Sequence, residues 1–150
     1  MRAVLQRVSE ASVKIDYKLC SVIREGILIL LGIEDEDSQE DIEWLTRKII
    51  NMRIFNDRDG VMNLSLKQID GNVIVVSQFT LHASTKKGNR PSYIKAAKPE
   101  VAEPLYEKFI AHFEKEFGKD VGQGRFGADM KISLINDGPV TIILDSKDKR

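Results

Sequence analysis

Cys20 is the only cysteine in the chain. A lone thiol excludes an internal disulfide framework and a cysteine cluster for zinc, and it suits a reducing compartment. Histidine is almost as scarce, with only His82 and His112. No HExxH, P-loop or GxSxG string occurs, so zincin, phosphate-cradle and α/β-hydrolase chemistry all lack their signatures. Net charge is missing too, because 23 Lys and Arg balance 23 Asp and Glu. A protein that grips nucleic acid by overall charge is basic, so any RNA contact here has to be a local patch. Long apolar runs are absent. The longest, ILILLGI at 27–33, falls far short of the ~20 residues needed to span a bilayer. The N-terminal MRAVLQRVSEASVKID places a polar or charged residue every two or three positions, unlike a signal peptide. The expectation is a cytoplasmic protein with no membrane partner, no metal and no cofactor.

What is present organises into strands and two helices. ASVKID alternates, with Val13 and Ile15 set against Ser12, Lys14 and Asp16, which predicts a half-buried strand. RAVLQRVS before it predicts a second strand paired with the first. ILILLGI, flanked by Gly26 and Gly32, predicts a buried strand. Ile42, Leu45, Ile49 and Met52 then fall at helical spacing behind Asp37 and Ser38, either of which suits an N-cap. NDRDG at 56–60 predicts a turn, and NVIVVSQFTL at 72–81 a strand. HASTKKGNRPSYIKAAKPE, about 19 residues, is a polar and basic loop of a length that is often functional. A second helix is predicted over 101–117, with Leu105, Phe109, Phe113 and Phe117 on one face and Pro104 in its first turn. Further strands are predicted near 122–126, 130–136 and 140–145. Strands cluster rather than alternating with helices. The fold class is therefore a mixed, β-rich α/β arrangement, with curved sheets or barrel-like β layers and two helices packed outside. No linker or repeat divides the chain, so residues 1–150 are expected to form one domain.

Three stretches offer chemistry. SQFTL at 77–81 ends an apolar strand in polar side chains, and strand alternation would put Gln78 and Thr80 on one face, Ser77 and Phe79 on the other. Such a strand end, with free backbone N–H groups, suits a carbonyl or an oxyanion. STKKGNRPSY gathers Lys86, Lys87 and Arg90 around Gly88 and before Tyr93, a mix suited to phosphate contact and base stacking. NDGPVT at 136–141 reads as a turn between MKISLI and VTIILD. Yet Pro139 cannot donate the backbone hydrogen bond that a strand residue after a two-residue hairpin supplies. Taken alone, these stretches leave open a Ser or Thr esterase acting through Thr80 or Ser77 with His82 as base, and a non-catalytic module binding RNA or single-stranded DNA.

SQFTL, KKGNRPSY at 86–93 and FGADMKISLINDGPVT at 126–141, in this order and spacing, closely resemble the D-aminoacyl-tRNA deacylase family, also called D-tyrosyl-tRNA deacylase. MRAVLQRVSEASV, GILILLGI and EPLYEKF resemble it as well, so the likeness covers essentially the whole chain. Tyr93 departs from the family's Phe but keeps the ring, and Gln123 stands where the family often has Thr. The resemblance implies a cytoplasmic homodimer. It implies hydrolysis of the ester between a D-amino acid and the terminal adenosine of tRNA, with glycyl-tRNA as a further substrate. Ser77, Gln78, Phe79 and Thr80 would line one subunit's pocket, with Met130 nearby. Thr80 is a candidate nucleophile, with Gln78 and Ser77 beside it. In the competing family view the adenosine 2′-hydroxyl assists an attacking water, and no side chain does the chemistry. Gly138 and Pro139, joined by a cis bond, would reach into the partner's pocket and reject L-amino acids. Lys86, Lys87 and Arg90 are the expected tRNA contacts.

Overall fold

The computed structural model of the chain describes residues 1–149. Its organising element is β1 (Arg2–Ile15), a single 14-residue strand. The two short strands predicted for this region are therefore one. Its first half pairs antiparallel with β3 (Gly26–Gly32) and its second half with β2 (Lys18–Ile23). Along its other edge it pairs throughout with β8 (Met130–Asp145). A strand with partners along its whole length has no reason to break, although Ser9 and Glu10 are polar and exposed.

The sheet continues from β3 to β6 (Asn72–Ser77), in parallel, and then to the short β7 (Gly122–Gln123). Gly26 makes that approach possible, since a Cβ there would lie 1.8 Å from the Asn72 carbonyl oxygen. The sheet curls until β7 meets β2. The Ser21 hydroxyl bridges this seam, donating to the Gln123 carbonyl at 2.7 Å and accepting from the Gln123 N–H at 3.0 Å. The result is a nearly closed, barrel-like layer. A small separate hairpin joins β4 (Phe55–Asn56) to β5 (Met62–Leu64) around the Asp57 turn.

Period-two alternation sorts the apolar residues of β3 and β6 onto two faces. Leu28, Ile74 and Val76 point into the curl with Val8, Val13 and Ile23. Ile27, Ile29, Leu31, Val73 and Val75 face the two helices. These are α1 (Gln39–Asn51), capped by Ser38, and α2 (Pro99–Phe117). The Ser38 N–H donates to the Asp41 carboxylate at 2.8 Å, the returning half of a capping box. In α2 it is Pro99 that takes the first turn. Pro104 lies one turn further in, so the predicted helix start is late by two residues. Phe109, Phe113 and Phe117 form the expected buried stripe.

Two further sequence readings are corrected. The strand predicted over 72–81 stops at Ser77, and Phe79–His82 form a 3-10 turn. The predicted strands at 130–136 and 140–145 are one strand, and NDGPVT is not a hairpin turn. β8 continues through it as one strand, with a bulge at 137–140.

Candidate functional site

The 3-10 turn follows from where pairing ends. The β3–β6 ladder closes at Leu31 opposite Ser77, and the Gln78 N–H makes the last bond, 2.7 Å to the Leu31 carbonyl. Beyond it, β3 ends at Gly32. A Cβ on Gly32 would sit 3.0 to 3.1 Å from Leu81, the Gln78 carbonyl and His82, so this glycine lets the turn lie flat against the strand. Arg2 fixes the far end of the turn, donating at 2.7 Å to the Leu81 carbonyl while its other nitrogens hold Asp145. The alternating faces expected for 77–80 are replaced by a turn. Among the described residues, no backbone acceptor outside the turn takes the N–H groups of Phe79 and Thr80.

That turn borders a cavity of about 550 Å³, a size common for small-molecule sites. Ser77, Gln78 and Phe79 form one wall. Leu31, Ile33 and Val76 make an apolar floor, and Phe126 to Met130 close the opposite side. Met130 is seated against Gly124, where a Cβ would come within 2.3 Å of its sulfur. Phe79 and Tyr93 meet edge to face, 5.0 Å between ring centroids. Both rings are exposed, Phe79 by 57%.

Sequence reasoning missed the fourth wall. Ala96, Ala97, Pro99 and Ala102 bring the end of the basic loop and the start of α2 onto the cavity. Their small side chains carry no chemical signal. The bond from the Ala97 N–H to the Ile33 carbonyl, 2.9 Å, shows why this stretch lies here.

Thr80 is not on the wall. Its hydroxyl accepts a hydrogen bond from the Gln78 amide at 2.5 Å. No ionisable side chain among the described residues hydrogen-bonds to Ser77 or Thr80. His82 is buried behind the turn, with Nδ1 4.0 Å from Glu34 and Nε2 without a partner. Asp129 does line the cavity, but Lys131 holds it at 2.9 and 3.0 Å. Among the described residues no cluster of His, Cys, Asp or Glu is arranged to hold a metal. Residues 122–127, GQGRFG, spell GxGxxG, but a strand follows and no helix does. They are not a dinucleotide loop.

Gly138 and Pro139 lie outside this cavity, and both are exposed. Gln6 pairs with Thr141 and Val8 with Asn136, so residues 137–140 bulge out opposite Arg7 alone. The Gly138–Pro139 bond is cis. Buried Arg7 braces the bulge, donating to the Asp137 carbonyl at 2.9 Å and the Ile54 carbonyl at 2.6 Å. Asn136 ties its base together. Its amide donates to Gln6 at 2.6 Å and its carbonyl accepts from the Val140 N–H at 3.1 Å. The missing N–H of Pro139 costs nothing in a bulge that has left the ladder. Lys86, Lys87 and Arg90 sit at the exposed tip of the 84–92 loop, away from the cavity wall. Mutual backbone bonds between Ser84 and Ser92, both 2.8 Å, pinch that loop shut.

The family model described as D-Tyr-tRNA(Tyr) deacylase matches residues 4–145. A D-aminoacyl-tRNA deacylase of Christiangramia forsetii is 77% identical over 150 residues, covering all of both chains. One from Bacteroides fragilis is 62% identical over 149 residues, covering 99% of both. Among solved structures, the c-Myc DNA unwinding element binding protein superposes with a TM-score of 0.92 at 41% identity, over 97% of this chain and 98% of that one. A probable eukaryotic D-amino acid tRNA deacylase gives 0.81 at 17% identity, over 95% and 97%, and supports the fold alone.

Proposed function

The chain belongs to the D-Tyr-tRNA(Tyr) deacylase family, and from that premise we propose that it hydrolyses the ester joining a D-amino acid, or glycine, to the terminal adenosine of tRNA. Water adds to the ester carbonyl, and the amino acid and free tRNA leave. The observation that carries this reading is the cavity bordered by Ser77, Gln78 and Phe79, where no backbone acceptor outside the turn takes the Phe79 N–H among the described residues.

An aminoacyl ester is already an activated acyl compound, so positioning and oxyanion stabilisation supply much of what its hydrolysis needs. Thr80 has no base within reach and accepts a hydrogen bond from Gln78. An unassisted Thr hydroxyl is a weak nucleophile. We therefore favour the route in which the adenosine 2′-hydroxyl guides the water, with the N–H of the wall residue Phe79 facing the developing oxyanion. Gln78 and Thr80 then hold the turn in shape.

In the same reading, Gly138 and Pro139 are the chiral wall of the partner's cavity in a two-fold dimer. Their exposure, their place outside the cavity of their own subunit and the brace from Arg7 all suit that role. A backbone wall on the side that would receive an L side chain still admits glycine and D-residues. The reading also takes residues 1–150 as one domain working in the cytoplasm. No helix among the described residues is long and apolar enough to cross a membrane.

The test is release of D-tyrosine from D-tyrosyl-tRNA, with L-tyrosyl-tRNA as control. Hydrolysis of the D-ester alone is expected. Equal hydrolysis of both, or of neither, would overturn the proposal. The name of the structure at 41% identity suggests a second reading, a DNA-binding module without catalysis. It predicts tight binding of single-stranded DNA and no D-ester hydrolysis.

A further inference from the structure

No Asp or Glu stands between Asp70 and Glu100, and five cations do: Lys86, Lys87, Arg90, Lys95 and Lys98. The rest of the chain carries the other 18 Lys and Arg against all 23 Asp and Glu, a formal balance of −5. The zero net charge thus hides a separation of sign. All five cations are exposed, and among the described residues none is held in an ion pair. They fall into two groups. Lys86, Lys87 and Arg90 occupy the tip of the pinched loop. Lys95 and Lys98 lie in the returning stretch whose Ala96, Ala97 and Pro99 belong to the fourth cavity wall. Lys95 and Lys98, both exposed, are each next in sequence to wall residues, Ala96 on one side and Ala97 and Pro99 on the other, which sets them at the edge of that wall. The acids nearest in sequence or across the opening are Glu100 and Glu103, exposed on α2, and Asp129, held by Lys131.

We propose that Lys95 and Lys98 are a phosphate-binding pair for the single-stranded acceptor end whose ester enters the cavity. This rests on the deacylase reading. Charges act over only about 8 Å at physiological salt, so cations on the rim meet the terminal phosphates whereas those at the loop tip meet phosphates further back. The acidic remainder repels RNA and leaves this face as the one that accepts it.

The experiment compares kcat/KM on two substrates, D-tyrosyl-tRNA and the D-tyrosyl ester of adenosine, which has no phosphate. The enzymes are the native protein, Lys95→Ala/Lys98→Ala, and Lys108→Ala/Lys115→Ala on the exposed side of α2 as a charge control. On tRNA the rim variant should lose about tenfold, chiefly in KM, and its plot of log kcat/KM against log salt should flatten by about 1.4, which is about 0.7 for each single-strand phosphate contact. On the adenosine ester it should match the native enzyme within about twofold, since no phosphate is there to contact. The control should match the native enzyme on both. Unchanged hydrolysis of tRNA by the rim variant, or equal loss on both substrates, would overturn the pair's role while the deacylase reading stood. If the native protein hydrolyses neither ester, both fall together.

Discussion

His82 separates the esterase alternative from the reading adopted above. A general base has to reach the proton it removes, yet this imidazole is buried facing Glu34 and makes no hydrogen bond to Ser77 or Thr80. His82→Ala should lower the melting temperature through lost packing and leave the D-ester rate within about threefold per folded molecule. A loss beyond about a hundredfold in a folded variant would restore His82 as base. Gly138 is the opposite case, a residue with no chemistry and little freedom. Its φ is 124°, and a Cβ would stand 2.7 Å from an Arg7 nitrogen, so alanine is excluded twice over. Removing Arg7 itself leaves the Asp137 and Ile54 carbonyls without their charged donor. Arg7→Ala should cost about 3 kcal/mol of stability and reduce discrimination between D- and L-tyrosyl-tRNA, measured as a ratio of kcat/KM values.

At the scale of elements, the Phe79–His82 turn exists because the β3–β6 ladder runs out. Gly32→Ala should displace the turn by the few tenths of an ångström that its crowded neighbours require, and lower kcat/KM on the D-ester more than it lowers stability. An unchanged rate would show that the turn is not held against β3. α2 is tied to the same region by Tyr106. Burial pushes its phenol pKa well above the ordinary value, so it stays protonated and donates to the Val75 carbonyl at 2.9 Å. Tyr106→Phe should cost about 1 kcal/mol in denaturant unfolding. The apolar elements were legible in the sequence, because β3, β6 and both helices carry clear periodicity. The breaks were misread. Ser9-Glu10 and Asp137-Gly138-Pro139 look like ends, but β1 and β8 continue through them as each other's partner. SQFT looks like strand, but no neighbour continues the ladder past Ser77.

Across the whole molecule, the C-terminal end of β8 is joined to α1 and to the chain's first residues by charge. Burial pushes the Asp41 carboxyl up, but hydrogen bonds from Ser146, Lys147 and the Ser38 N–H outweigh it and hold the group well below the usual carboxylate range. Asp145 is held low in the same way, chiefly by Arg2 against burial. A folded-state pKa below the unfolded value stabilises fully above the unfolded value and is lost as pH falls through the folded one. Asp37, beside the Met1 ammonium, is instead pushed up by burial and acts in the opposite sense. Stability should therefore drop from about pH 4 downward, and Asp41→Asn should flatten that drop in thermal melts taken across pH. The proposed dimer belongs to this scale as well. Ile143 is exposed by 69% and Ile135 by 54% on β8, apolar surface on the strand that carries the bulge. Sedimentation equilibrium at micromolar concentration should give twice the 17.0 kDa chain mass. A monomer would leave Gly138 and Pro139 with no cavity to wall.

The sequence by itself determined the family, the buried strands and helices, and the SQFTL and NDGPVT stretches, because these are written in local order and periodicity. Tertiary structure alone decided that the strand stops at Ser77 and Phe79–His82 turn, that Thr80 stands behind Gln78 and off the wall, and that NDGPVT is a braced bulge. It also decided that a run of alanines completes the cavity. Each depends on which strand has a partner and where that partner stops, a property of the neighbour and not of the residues concerned.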